Sequence, residues 1–165
     1  MRSNSFAWLM NTYGLNACIL KGGYKAYRNY VLNYFAIPKK IILLGGKTGS
    51  GKTDVLKELM KTDYSVVDLE RLANHKGSAF GAINEEKQNP QQAFENNMYQ
   101  SFVDCDQNKI FILEDESQTI GFNKIPHELW QQMKKSPIIK LNIPFELRVG
   151  KLVEDYTTAN TDALR

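Results

Sequence analysis

The sequence predicts an α/β fold with a mainly parallel sheet and flanking helices, and three observations carry that prediction. Apolar, strand-like runs at residues 41–44, 65–69, 109–113 and 138–143 alternate with stretches of helical periodicity, the order that places helices on the faces of a parallel sheet. Pro126 and Pro144 each open a helical stretch, where a fixed φ and a missing N–H cost nothing. Between the first run and its helix stands G-x-x-x-x-G-K-T, residues 46–53, a strand–loop–helix sequence that cradles phosphate.

In chain order, residues 1–37 read as a separate piece. Ser3 or Asn4 is expected to cap a helix with apolar positions Phe6, Leu9, Met10 and Tyr13, ended by Gly14. A short strand is expected at 17–20, a turn at Gly22-Gly23, and a helix carrying Tyr24, Tyr27, Val31 and Tyr34. Ile37-Pro38 breaks the pattern, because the residue before proline is pushed out of helical geometry. The second unit, 38–165, begins there.

After the first strand of that unit, Val55, Leu56, Leu59 and Met60 mark a helix. Phe94, Met98 and Phe102 form one later stripe, and Leu129, Trp130 and Met133 another. Phe145, Val149, Leu152, Val153 and Tyr156 form the last. These last three stripes are expected in the core. The sheet is expected to be incomplete at its C-terminal end, with residues 157–165 a frayed terminus.

At 165 residues with 42% hydrophobic content, the chain can bury a core of ordinary size. No apolar run approaches the roughly 20 residues of a membrane span, and the N-terminus lacks the basic-then-apolar layout of a signal peptide. A cytoplasmic protein without a membrane partner is expected. The net charge of +3 permits an anionic partner without demanding one. Cys18 and Cys105 show no C-x-x-C spacing, so neither zinc, haem nor a disulfide framework is expected, and both thiols read as buried or half-buried.

Each residue of the loop has a reading. Gly46, Gly49 and Gly51 allow turns that a Cβ would block, so that the amides of Lys47, Thr48 and Ser50 converge on one anion. Lys52 adds a cation and Thr53 a hydroxyl suited to magnesium. A nucleoside triphosphate is the default ligand, and a diphosphate ester would satisfy the same amides. Acidic groups are expected at the carboxyl ends of neighbouring strands, the edge that faces the ligand crevice. Glu114, Asp115 and Glu116 follow one apolar run, where Glu114 would hold magnesium directly or through water. Asp68 and Glu70 end another, and would share a face if the strand continued. His75, Lys76 and Ser78 lie in a loop pivoting on Gly77 and Gly81, where they could grip an anionic substrate. Arg148 is a candidate phosphate clamp. Lys21, Lys25 and Arg28 interleave with Tyr24, Tyr27 and Tyr30; spacing alone favours an amphipathic helix with a solvated basic face over a nucleic-acid surface.

The series GGKTGSGKT, DLERLANHKGSAFG, QQAFEN, LEDESQTIG and PFELRVGKLVEDY resembles the tRNA 2-selenouridine synthase family in content and order. ILKGGYKAYRNYV resembles the closing strand and helix of the rhodanese-like domain that precedes the P-loop domain there. The resemblance therefore implies a P-loop nucleoside-triphosphatase-like unit at 38–165 and a rhodanese-like remnant at 1–37. It implies selenium transfer to the wobble 2-thiouridine of tRNA, using selenophosphate by way of a geranylated intermediate made from geranyl diphosphate. The loop would bind the phosphorylated donor, the DLE, NHKGS and EDES segments would line the same crevice, and tRNA would be the partner.

Three features depart from the family pattern, one being that the sequence stops where the family is expected to continue for a substantial further stretch. Family members carry a cysteine in a C-x-R-G-G-x-R-S loop, whereas this chain opens on Met1-Arg2-Ser3, which resembles that loop's tail, and neither Cys18 nor Cys105 takes the cysteine's place. This polypeptide alone is therefore not expected to complete the selenium transfer. Lys76 stands where the family usually has arginine, keeping the charge and losing the fork. Two other readings remain open at this level: a small-molecule kinase with Asp68 as base and Arg148 as clamp, and a non-catalytic tRNA-binding module.

Overall fold

The computed structural model describes residues 2–77 and 86–157, in two compact units, Met1–Tyr34 and Phe35–Arg165. In the first unit, α1 (Arg2–Thr12) and α2 (Gly23–Tyr34) are joined by a segment that is not a strand. An extended segment with no neighbour has no ladder to join. The Asn11 carboxamide takes up its backbone instead, accepting from the Ala17 N–H at 2.9 Å and donating to the Ala17 carbonyl at 3.2 Å. Two further expectations fail here, the cap and the buried thiol. Ser3 and Asn4 lie inside α1 rather than capping it. Phe6, Leu9 and Tyr13 are exposed, and the buried residue of that helix is Ala7. Cys18 is exposed, because its segment covers nothing. The glycine signals hold: Gly14, Gly22 and Gly23 all have positive φ, and the Gly23 N–H closes a turn onto Leu20 at 2.9 Å.

The second unit runs β1 (Ile41–Gly46), α3 (Lys52–Met60), β2 (Ser65–Val67), α4 (Leu69–Ala73), α5 (Gln91–Val103), β3 (Phe111–Glu114), β4 (Thr119–Ile120), β5 (Asn123–Lys124), α6 (His127–Met133), β6 (Ile138–Leu141) and α7 (Phe145–Thr157). Four strands make one parallel sheet in the order β2-β3-β1-β6, the α/β architecture the alternation predicts. In register, Leu44 lies beside Glu114 and Ile139, so β3 ends level with Leu44 and β1 runs two residues further to Gly46. The antiparallel pair β4-β5 is not foreseen from sequence, since two-residue strands leave no periodicity to read.

The core is aromatic. Phe102 of α5 packs edge-on to Phe35 at 6.1 Å and against Phe111 of β3 at 5.0 Å. Phe94, Met98, Leu113, Leu129 and Met133 are fully buried with them. Gln132 of α6 fixes the lead into β1, donating to the Phe35 carbonyl at 2.8 Å and accepting from the Lys39 N–H at 2.8 Å. Buried Gln88 pins the β4-β5 hairpin, directing its amide at the Ala73 and Ile120 carbonyls and at Asn123 Oδ1, while its Oε1 accepts from the Phe122 N–H. Gly121 turns at φ 60°, and a Cβ there would run into Gln88.

The last stripe is not core. Phe145 is 66% exposed and Val153 55%, and Ile138 and Ile139 of β6 are exposed on both faces of the strand. Among the described residues nothing covers this edge strand and helix. Leu152 of the stripe is turned to a packing contact beside Gly49. The side chain of Tyr156, and residues 158–165, lie outside the described residues.

Candidate functional site

The loop leaves the end of β1 between β3 and β6. Its geometry follows from its glycines: Gly49 (φ 77°) and Gly51 (φ 79°) are left-handed, a region that costs residues with a Cβ about 1–2 kcal/mol. Between them the Ser50 N–H bonds to the Lys47 carbonyl at 3.0 Å. Gly51 is the N-cap of α3 and supplies no side-chain acceptor, so the first N–H groups of that helix are left for an anion. Lys47 and Thr48 are exposed. Ser50 is buried with no partner for its Oγ. Lys52 folds back, its Nζ donating to the Gly46 carbonyl at 3.0 Å.

Residues 47–53 line a cavity of about 200 Å³, together with Asp54, Lys57, Glu70, Lys76 and Lys151. Arg148 does not line it. Its Nη1 donates to the Thr48 carbonyl at 3.2 Å from outside, and its guanidinium lies over the Phe145 ring at 5.6 Å. The backbone of α7 presses on the loop, so that a Cβ on Gly49 would come within 2.6 Å of the Arg148 carbonyl. Lys151, one turn on, forms an ion pair with Asp54.

The acidic side is built from the ends of β3 and β2. Glu114 closes β3 fully buried. Its Oε2 accepts from the Glu70 N–H at 2.9 Å, and its Oε1 has no partner. Burial pushes its carboxyl up to about 9, reinforced by the nearby charges of Asp68 and Glu70. Glu116 is raised to about 8, chiefly by burial and then by Glu70, with Lys52 pulling the other way. The acidic side therefore senses the lysine of the loop. Asp115 is exposed; its N–H continues the ladder onto the Leu44 carbonyl at 3.0 Å.

Asp68 and Glu70 do not share a strand face, because β2 stops at Val67. Asp68 caps α4 instead, its Oδ1 accepting from the Arg71 N–H at 2.8 Å, a cap that competes with extension of the strand. Glu70 lies in the first turn of α4 and its Oε1 accepts from the Gly77 N–H, which brings the following loop down on the cavity. The turn that allows this is Asn74, left-handed at φ 49°. The His75 N–H bonds to the Glu70 carbonyl at 3.1 Å, and its ring Nδ1 is buried without a partner. Ser78 and Gly81 lie outside the described residues. Sequence reasoning misses Asp54, Lys57 and Lys151. The spacing of Arg148 and Lys151, three apart on a helix, is the signal that could have found the last.

A glycine-turned anion cradle at the carboxyl edge of a parallel sheet, with a lysine beside it and buried acid opposite, defines a P-loop domain of the nucleoside-triphosphatase type. Residues 39–165 match the family described as the tRNA 2-selenouridine synthase AAA domain. The chain is 34% identical over 166 residues to a tRNA 2-selenouridine synthase of Psychromonas ingrahamii, an alignment covering 98% of this chain and 44% of that protein. It is 38% identical to those of Salmonella arizonae, over 154 residues, and Cupriavidus pinatubonensis, over 158, covering 90% of this chain and 41% of each relative. The chain belongs to the tRNA 2-selenouridine synthase family. It spans well under half the length of these curated relatives. No solved structure matches it.

Proposed function

We propose that the unit from Phe35 onward holds a phosphorylated donor, namely a nucleotide, geranyl diphosphate or selenophosphate, for modification of the wobble 2-thiouridine of tRNA. One observation carries the reading. Residues 47–53, with Lys52 among them and with the N-cap of α3 lacking any side-chain acceptor, all line one cavity, a setting that favours clustered negative charge over neutral ligands. The family resemblance supplies tRNA as acceptor, the relatives' name includes it, and the chain's net positive charge is compatible with a polyanion. We also read residues 1–37 as the remnant of a rhodanese-like domain.

Magnesium fits the donor set in a limited way. Thr53 lines the cavity and would hold it through its hydroxyl, whereas Glu114 is fully buried and does not line the cavity, and would act through Glu70, whose N–H its Oε2 accepts. Among the described residues no group of three or more histidines, cysteines or acids is arranged to hold a metal, so the donor's own oxygens and water would complete the shell. The ion would supply charge neutralisation at the phosphates. Lys52 would turn from the Gly46 carbonyl to the anion. Glu70, by fixing the Gly77 N–H, would keep Lys76 on the cavity.

Calorimetric titration of the wild type and Lys52→Ala with ATP, GTP, geranyl diphosphate and selenophosphate tests this. Binding of at least one ligand, weakened tenfold or more by the substitution, is expected; a hydrogen bond to a charged group is worth about 1.5–3 kcal/mol. Absence of any Lys52-dependent binding would refute it.

A further inference from the structure

The cavity at the loop is lined by two acids, Asp54 and Glu70. Glu70 is engaged by the Gly77 N–H. Asp54, in the first turn of α3, stabilises that helix through its dipole, yet it also places a carboxylate beside the N–H groups that are to receive phosphate. Its partner comes from a distant segment: Lys151 of α7, whose ammonium pairs with Asp54 and whose stem reaches the space a Cβ on Gly51 would border. Helix α7 is held there by Arg148 on the Thr48 carbonyl and by the close approach of its backbone and Leu152 to Gly49.

We propose that Lys151 is a positioning residue for the donor's phosphates, acting by neutralising Asp54 at the cavity mouth so that the anion meets no bare carboxylate. The inference rests on the phosphate-binding reading above. It also gives α7 a purpose that its exposed apolar stripe does not: the helix delivers one charge to one place. Without Lys151, a carboxylate within several ångströms of two or more phosphate charges repels them, and Coulomb's law in a wet site turns this into about a tenfold weakening.

The test is a double-mutant cycle read by calorimetry with inorganic pyrophosphate on the full chain: wild type, Lys151→Met, Asp54→Asn and the pair, with Lys151→Arg and Lys52→Ala alongside. Lys151→Met is expected to weaken binding about tenfold, Asp54→Asn in the same chain to restore most of it, and Lys151→Arg to retain it. A restored double variant also shows that the loss was not misfolding. Equal losses from Lys151→Met with and without the Asp54→Asn substitution would mean that the lysine touches the anion itself, and would overturn the proposal. So would an unchanged affinity. If wild type and Lys52→Ala bind pyrophosphate alike, or neither binds, the phosphate-binding reading falls first and this one with it.

Discussion

Replacing Glu114 with glutamine separates the electrostatics of the site from its packing. The carboxyl is fully buried at the end of β3, with Oε2 on the Glu70 N–H and Oε1 unpartnered, and its proton affinity is raised from 4.5 to about 9. The folded chain keeps this proton up to about that pH, whereas the unfolded chain releases it near 4.5. Between those values the unfolded state binds fewer protons, so rising pH favours unfolding. The contribution is complete below 4.5 and gone above 9. One proton is worth about 1.4 kcal/mol per pH unit, so wild type is expected to lose up to about 3 kcal/mol between pH 6 and pH 8 on this account. Glutamine has the same shape and no proton to release, so Glu114→Gln is expected to lose only about half as much over that interval, keeping the slope that Glu116, raised to about 8, contributes by the same linkage. Urea denaturation at pH 6, 7 and 8 gives both slopes. Parallel slopes for wild type and Glu114→Gln would refute the reasoning, because a neutral buried carboxyl would then not exist at the site.

Two more changes probe the scaffold. Gly49→Ala adds a left-handed strain of about 1–2 kcal/mol to overpacking of about 1–3 kcal/mol against the Arg148 carbonyl and Leu152; thermal melting is expected to show a loss of about 2–5 kcal/mol together with loss of pyrophosphate binding, and a melt matching wild type would show that α7 does not rest on the loop. Gln88→Leu strips the buried Ala73 and Ile120 carbonyls of their donor and is expected to cost about 2–6 kcal/mol at roughly 1–3 per orphaned group. Denaturant titration checks it, and a loss under about 1 kcal/mol would count against the network.

The parts that sequence discloses are those fixed by local chemistry. The loop is legible because its glycines, lysine and threonine are required by geometry within eight residues, and the stripe of Phe94, Met98 and Phe102 because three buried residues on one helix leave a period. Asp68 is misplaced because an acid that ends a strand and an acid that caps a helix read alike until the strand's last hydrogen bond is known. Residues 145–153 read as core because apolar spacing records what a helix is able to bury, whereas burial depends on what stands opposite. Lys151 escapes notice for the converse reason. Its partner, Asp54, is 97 residues away, so the helical spacing that sets Lys151 beside Arg148 does not say which acid it meets.

The arrangement of charge accounts for why these features occur together. A loop that gathers amides and lysines attracts phosphate, but the same sheet edge must also present acid if a cation is to join the donor. Acid beside phosphate repels it. In this chain the conflict is met in three different ways: Glu114 and Glu116 are buried enough to remain protonated near neutral pH, Glu70 is tied to the Gly77 N–H, and Asp54 is paired with Lys151.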